Sequence, residues 1–172
     1  LCTTYFGPVR YYSKLFLHKE IYLEQFENFN KQTYRNRCEI LGANGIISLV
    51  VPVVKGRGAK KLIKDILISY DTEWQRNHWR TIISAYNSSP FFNYYKDDLQ
   101  HFFYKRWKYL FDLNMEINEV ICDLIGIDPG IKLTEAFEAV PGDAFNLCNV
   151  FTPKKHKESP DNNFLAREYT QV

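Results

Sequence analysis

The chain has 172 residues, 22 Lys plus Arg against 20 Asp plus Glu, 45% hydrophobic residues and 16% aromatics. That length fits one domain over residues 1–172, the composition excludes a disordered chain, and a net charge of +2 is too small to argue for a nucleic-acid protein. No apolar run approaches the ~18 residues of a membrane span, and Arg10 and Lys14 break the opening Leu1–Leu17, so neither a transmembrane segment nor a signal peptide is expected.

Leu1–Tyr5 reads as a short strand and Gly7-Pro8 as a turn with Pro at the first helical position. Tyr11, Tyr12, Leu15 and Phe16 share one helix face, and Glu20–Phe26 alternates as a strand. Strand, helix and strand predict a β-α-β start, in which a ligand can sit at the helix N-terminus.

Arg37–Leu41 and Ile46–Val54 are β-rich runs flanking Asn44-Gly45, a dipeptide suited to a type I′ hairpin turn. With that dipeptide at the centre, Ala43 pairs with Ile46, Cys38 with Val51 and Arg35 with Val54. Asn36, Cys38 and Ile40 then face inward with Leu49, Val51 and Val53, and Arg35, Arg37 and Glu39 face outward. Two guanidinium stems on alternate residues rise ~6.5–7 Å apart, close enough to share one phosphate or carboxylate. Tyr34 faces Lys55 across the ladder, bringing the basic loop beside the arginines.

Ile63–Ile68 reads as a buried strand, and Thr72-x-x-Gln75 as a capping box opening a helix with Trp74, His78, Ile82 and Tyr86 on one stripe. Pro90 stops it. An aromatic, amphipathic stretch follows through Leu99, Phe102, Phe103, Trp107, Leu110 and Phe111 and on to Ile121. Ile131–Phe137 is a further candidate strand, and Thr152–Asn163 is a polar loop. The fold class expected is α/β: a β-α-β unit plus a β-hairpin forming a sheet, packed against aromatic-rich helices.

Residues 1–80 carry a net +6 and residues 81–172 a net −4, and Lys31–Lys64 holds eight basic residues against Glu39 alone. A basic cluster on a near-neutral chain points to a local anionic ligand, with Lys31, Arg35, Arg37 and Lys55 as its grip. The alternative partners of the arginines are the chain's own Glu24, Glu27 or Glu39. Asn36 reaches such a ligand from beneath or caps a buried backbone group. Tyr12, Trp74 and Trp79 offer stacking faces, or belong to the core. His78 suits a general base, or a satisfied core histidine. Cys38 is a nucleophile candidate that the hairpin register buries. Cys2, Cys38, Cys122 and Cys148 are too widely spaced for a zinc site or a disulfide scaffold, so reduced thiols in a cytoplasmic protein are expected. No metal or cofactor is expected; the other histidines are scattered, and neither a P-loop nor a dinucleotide fingerprint occurs.

Tyr5-Phe6-Gly7-Pro8-Val9-Arg10-Tyr11-Tyr12, Lys31-Gln32-Thr33-Tyr34-Arg35-Asn36-Arg37-Cys38, Leu49-Val50-Val51-Pro52-Val53, Trp74…His78-Trp79-Arg80 and Ala85-Tyr86…Pro90-Phe91-Phe92 follow in that order. Together they resemble the WbqC-like proteins, bacterial proteins found in O-antigen and other surface-polysaccharide clusters. The Lys31–Arg37 block is the most specific of these segments, and the match runs over nearly the whole chain. Members often carry Asp-x-Arg before the Thr152-Pro153-Lys154-Lys155 motif; here the chain reads Asp143-Ala144-Phe145, without the arginine. Members also extend through a further apolar helix, which with Leu1 at the start leads to the expectation that both ends are truncations.

The resemblance implies a transferase of surface-polysaccharide assembly, one that moves glycine or another aminoacyl group onto a nucleotide-activated or phosphorylated sugar. It adds weight to His78 as base and brings Arg80 into the binding set. The expected partner is therefore an anionic small molecule and not a nucleic acid. Two rivals stand beside this reading: a non-catalytic module binding a glycan intermediate or partner enzyme, and a nucleotidyl-transfer enzyme built on the β-α-β start.

Overall fold

The computed structural model describes residues 1–54, 61–138, 142, 144–148, 150–153, 164, 165 and 167. The expected mixed α/β class is what the chain forms, with four α-helices and two small sheets among the described residues. Helix α1 (Val9–Leu17) buries Tyr11 and Leu15. Pro8 stands one residue earlier than expected, as the extended cap residue.

The anticipated β-α-β start shrinks to one parallel bridge, Cys2 to Glu24. Strand β1 (Ile21–Leu23) takes its full partner from far along the chain, pairing in parallel with β4 (Ile131–Leu133) in the register Ile21 to Ile131 and Leu23 to Leu133. The other sheet is the hairpin of β2 (Arg37–Gly42) and β3 (Gly45–Val50), so the strands make two separate sheets instead of one.

The hairpin exists, but its register differs from the expected one. Gly42 pairs with Gly45, so the two-residue loop is Ala43-Asn44, and Cys38 faces Leu49. Only Gly45 among the four turn residues has positive φ, at 114°, whereas a type I′ turn needs positive φ at both loop residues. The partner shifts by two residues, an even number, so the inward face survives: Cys38, Leu49 and Val51 are buried. Strand β2 begins only at Arg37, and the residues before it form a turn in which Asn36 N–H donates to the Thr33 carbonyl. Alternation therefore cannot be carried back to Arg35.

Ile63–Ile68 is a 3-10 turn (Ile63–Asp65) followed by single bridges, Leu67 to Tyr109 and Val53 to Ile68. Three helices follow: α2 (Trp74–Tyr86), α3 (Phe92–Tyr104) and α4 (Leu110–Leu124). The predicted capping box is not made; α2 has Glu73 at its cap position without a side-chain bond. Gln75 instead donates to the carbonyls of Phe102 and Lys105 at the end of α3, where helical acceptors lack intrahelical donors. The main core joins the α2 stripe (Trp74, Trp79, Ile82) to Phe102, Phe103 and Trp107 and to Leu110, Leu113 and Ile117 of α4. Phe6 stacks on Phe103 with its own φ at 44°. A smaller cluster holds Tyr11, Leu15, Ile21, Cys122 and Phe151. Among the described residues no helix is long and apolar enough to cross a membrane.

Candidate functional site

Beside the β1/β4 pair lies a cavity of about 500 Å³, open to solvent. Its walls come from residues 18–30 on one side, with Glu20, Tyr22, Glu24, Glu27, Asn28 and Asn30, and on the other from Thr134, Phe137, Glu138 and residues 144–148, with Phe145, Asn146 and Cys148. Four carboxylates and three amides converge with aromatic rings, which is hydroxyl- and amine-binding chemistry more than phosphate-binding chemistry.

Each carboxylate is held differently. Glu24, buried, accepts from the Phe26 N–H at 2.7 Å, the Thr134 hydroxyl at 3.0 Å and the Glu138 N–H at 2.9 Å, and so clips the two walls together. Thr134 N–H donates to the Leu23 carbonyl, and Gln25 Nε2 to the Thr134 carbonyl at 2.7 Å. Glu138 reaches its position with φ at 54°, a left-handed backbone that costs a non-glycine residue ~1–2 kcal/mol. Glu20, exposed on the rim, accepts from Lys132 Nζ and the Tyr22 hydroxyl, both at 2.6 Å, and those donors hold its carboxyl below the ordinary value.

Glu27 carries the tightest contacts. Arg35 Nε donates to Glu27 Oε1 at 2.6 Å and Arg35 Nη2 to Oε2 at 2.5 Å, with both side chains almost fully enclosed. The same Nη2 lies 2.9 Å from Cys2 Sγ and 3.4 Å from the Cys148 carbonyl oxygen. Cys2 is disulfide-bonded to Cys148, against the expectation of reduced thiols; 146 positions separate the two, so no local spacing could announce the pair. Closing a loop of that length stabilises a fold by ~5 kcal/mol in the chain-entropy view. Cys38 and Cys122 are free, and burial pushes their thiols up to about 12 and about 11. Cys2, Glu27 and Cys148 bring their ligand atoms within 4.8 Å of one another, a donor set that could suit a thiophilic metal. In the disulfide form neither sulfur is a thiolate, and the guanidinium already engages both carboxylate oxygens, so these residues do not fit a metal as they stand.

The site expected from the sequence is arranged otherwise. Arg35 and Arg37 do not share an outward hollow: Arg35 is 3% exposed and committed to Glu27, one of its three alternative partners. Its backbone carbonyl is held by Asn114 Nδ2 of α4 at 2.7 Å, which fixes the inward turn. Arg37 is half-buried opposite Val50, with its Nε enclosed and unbonded. Asn36 is buried and donates to the Val51 carbonyl at 3.0 Å. His78 is buried beside the same stretch: the Tyr5 hydroxyl lies 2.9 Å from its Nδ1, its ring bonds the Val50 backbone, and burial lowers its pKa to about 4. Asn36 and His78 thus both bond the backbone at the end of β3, at Val51 and Val50. Tyr12 packs edge-on to Tyr11 with its hydroxyl bonded to the Gly7 backbone. Arg80 is exposed on α2, and Lys31 is exposed next to Asn30 at the cavity edge. Lys55, and the expected Tyr34–Lys55 approach, lie outside the described residues. None of the seven described candidates lines the cavity.

Sequence reasoning missed Thr134 and Glu138, and it named Glu24 and Glu27 only as partners of the arginines, not as cavity walls. Three carboxylates within eight residues, Glu20 to Glu27, were the available signal, in a stretch whose other residues read as strand. No curated protein and no solved structure matches the chain. A sequence model of the WbqC-like protein family matches residues 3–160, and by that match the chain belongs to the WbqC-like protein family.

Proposed function

We propose that the protein is a transferase of surface-polysaccharide assembly, and that its cavity receives an amine-bearing sugar or the ammonium end of an aminoacyl group. The observation that carries this reading is the lining: the exposed carboxylates of Glu20 and Glu138, the amides of Asn28, Asn30 and Asn146, and the rings of Tyr22, Phe137 and Phe145 around about 500 Å³. Carboxylates and amides hydrogen-bond hydroxyls and ammonium groups, and aromatic faces suit the apolar faces of sugar rings. The family match supports the kinship, and the pathway and the aminoacyl reaction are what the resemblance to WbqC-like proteins suggests. The phosphate or nucleotide end of such a substrate would extend past Asn30 toward exposed Lys31. Arg35 supports the site from behind by holding Glu27.

Saturation-transfer NMR against a panel of neutral sugars, amino sugars, sugar phosphates and glycine tests the assignment. Amino sugars or glycine should bind, and Glu20→Gln with Glu138→Gln should weaken them severalfold, both positions being exposed. Binding confined to sugar phosphates, and indifferent to those substitutions, would overturn it.

A further inference from the structure

We propose that Cys2–Cys148 is a reactive disulfide that exchanges with small thiols entering through the cavity, with Cys148 as the sulfur attacked and Cys2 as the leaving group. Three observations converge on that direction. Cys148 lines the cavity, whereas Cys2 is 5% exposed and set behind it. Cys2 Sγ lies 2.9 Å from Arg35 Nη2, so the charge that develops on a departing Cys2 thiolate forms beside a fixed cation. A thiol stabilised as its anion leaves faster, and the sulfur that can be approached is the one that is attacked. Glu27 Oε2, 3.2 Å from Cys2 Sγ, faces the same sulfur; its charge is matched by the two-pronged contact from Arg35, and it accepts a hydrogen bond from the Cys2 thiol once that sulfur has been released and protonated.

The step balances. A thiolate RS⁻ attacks Cys148 Sγ, a bond forms between R–S and Cys148, the Cys2–Cys148 bond breaks, and its electron pair leaves on Cys2. A second thiolate attacks the R sulfur of the mixed disulfide, giving RSSR and a Cys148 thiolate. Both protein sulfurs take up the protons the two small thiols gave up, and the two electrons come from those thiols.

Reduction has a structural consequence. Residues 144–148 form one wall of the cavity; among the described residues Leu147 packs on the Tyr11–Leu15–Ile21 cluster, and the polar links of the segment to the body outside the disulfide are long, Asn146 Nδ2 to Glu138 Oε1 at 3.4 Å and Arg35 Nη2 to the Cys148 carbonyl at 3.4 Å. Opening the disulfide therefore loosens that wall while leaving the helical core in place. None of this depends on what the cavity binds.

The test uses the full oxidised chain with reduced glutathione, quenched in acid, alkylated and mapped by peptide mass spectrometry. The glutathione adduct is expected on Cys148, in about tenfold excess or more over Cys2. Arg35→Lys, which keeps a cation for Glu27 but loses the fork, should slow the exchange and lower that preference; if the variant does not fold, the wild-type map alone decides. Hydrogen exchange of the amides in 144–148 should rise on reduction while that of α4 stays unchanged. An adduct on Cys2, a disulfide that reacts only after the chain is unfolded in urea, or an unchanged 144–148 segment would each overturn the proposal.

Discussion

Replacing Arg35 by Met separates an inward guanidinium from an outward one. An exposed arginine on a strand face would lose about 0.5 kcal/mol or less on such a change. In the structure the Arg35 and Glu27 side chains are 4% and 8% exposed, and two charge-assisted bonds join them. Arg35→Met strands the Glu27 carboxylate in an enclosed site, where an uncompensated charge costs ~3–5 kcal/mol. Urea unfolding of the oxidised protein, followed by fluorescence of buried Trp74, Trp79 and Trp107, reads this directly. With a slope of about 2 kcal/mol/M the midpoint should fall by ~1.5–2.5 M. Removing both charges with Arg35→Met and Glu27→Met should recover most of that loss, because a well-packed apolar pair can replace a buried ion pair. Arg80→Met, on the exposed side of α2, serves as the control and should stay within about 0.5 kcal/mol of wild type. A single-variant loss below about 1 kcal/mol, or a double variant worse than the single, would refute the inward assignment.

Two further outcomes follow from the same geometry. His78 has a folded pKa of about 4, below the ordinary 6.5, so its contribution to stability is present above 6.5 and lost as the pH falls toward 4. From those values the loss is about 2 kcal/mol by pH 5; it is checked by urea unfolding at pH 7 and pH 5 with His78→Gln as the flattened control, and an imidazole resonance titrating near 6.5 would refute it. At Gly130 an added Cβ would stand 2.5 Å from the Lys19 carbonyl oxygen, where the chain enters the β1–β4 pairing. Gly130→Ala should cost ~1–3 kcal/mol, at about 2–4 °C of Tm per kcal/mol, and a variant as stable as wild type in a thermal melt would show that the two strands can separate freely.

The parts of the fold that repeat over many residues were legible in the sequence. The Trp74–His78–Ile82 stripe does face the core, and the hairpin buries Cys38 and Leu49 as their alternation requires. What failed were extrapolations past the end of an element. Arg35 lies two residues before β2 begins, where a turn has replaced the alternation, so its side chain went to Glu27 and the expected anion site came apart. Ile63–Ile68 is too short for period to distinguish a strand from a 3-10 turn. Gln75 matched a capping pattern, but the open carbonyls of α3 were the better use of its amide. The cavity was invisible because its walls lie far apart in the sequence and are joined by the β1–β4 pairing and by the bonds of Glu24 to Thr134 and Glu138, and its tightest cluster needs Cys148 beside Cys2. The periodicity of α2 places His78 on the buried face, where Tyr5 and the Val50 backbone hold its ring; periodicity alone does not separate a base from a core histidine.

The pairing of β1 with β4 also sets when the hollow can come into being. During synthesis the ribosome delivers residues 18–30 early, yet their opposite wall emerges only after all four helices have been made. A nascent chain ending near Leu124 would hold nearly all of the aromatic core and none of the finished binding space. Contacts of such long sequence separation form late, because the intervening chain must first be ordered. Damage near the end of the chain can therefore silence the protein while leaving it compact.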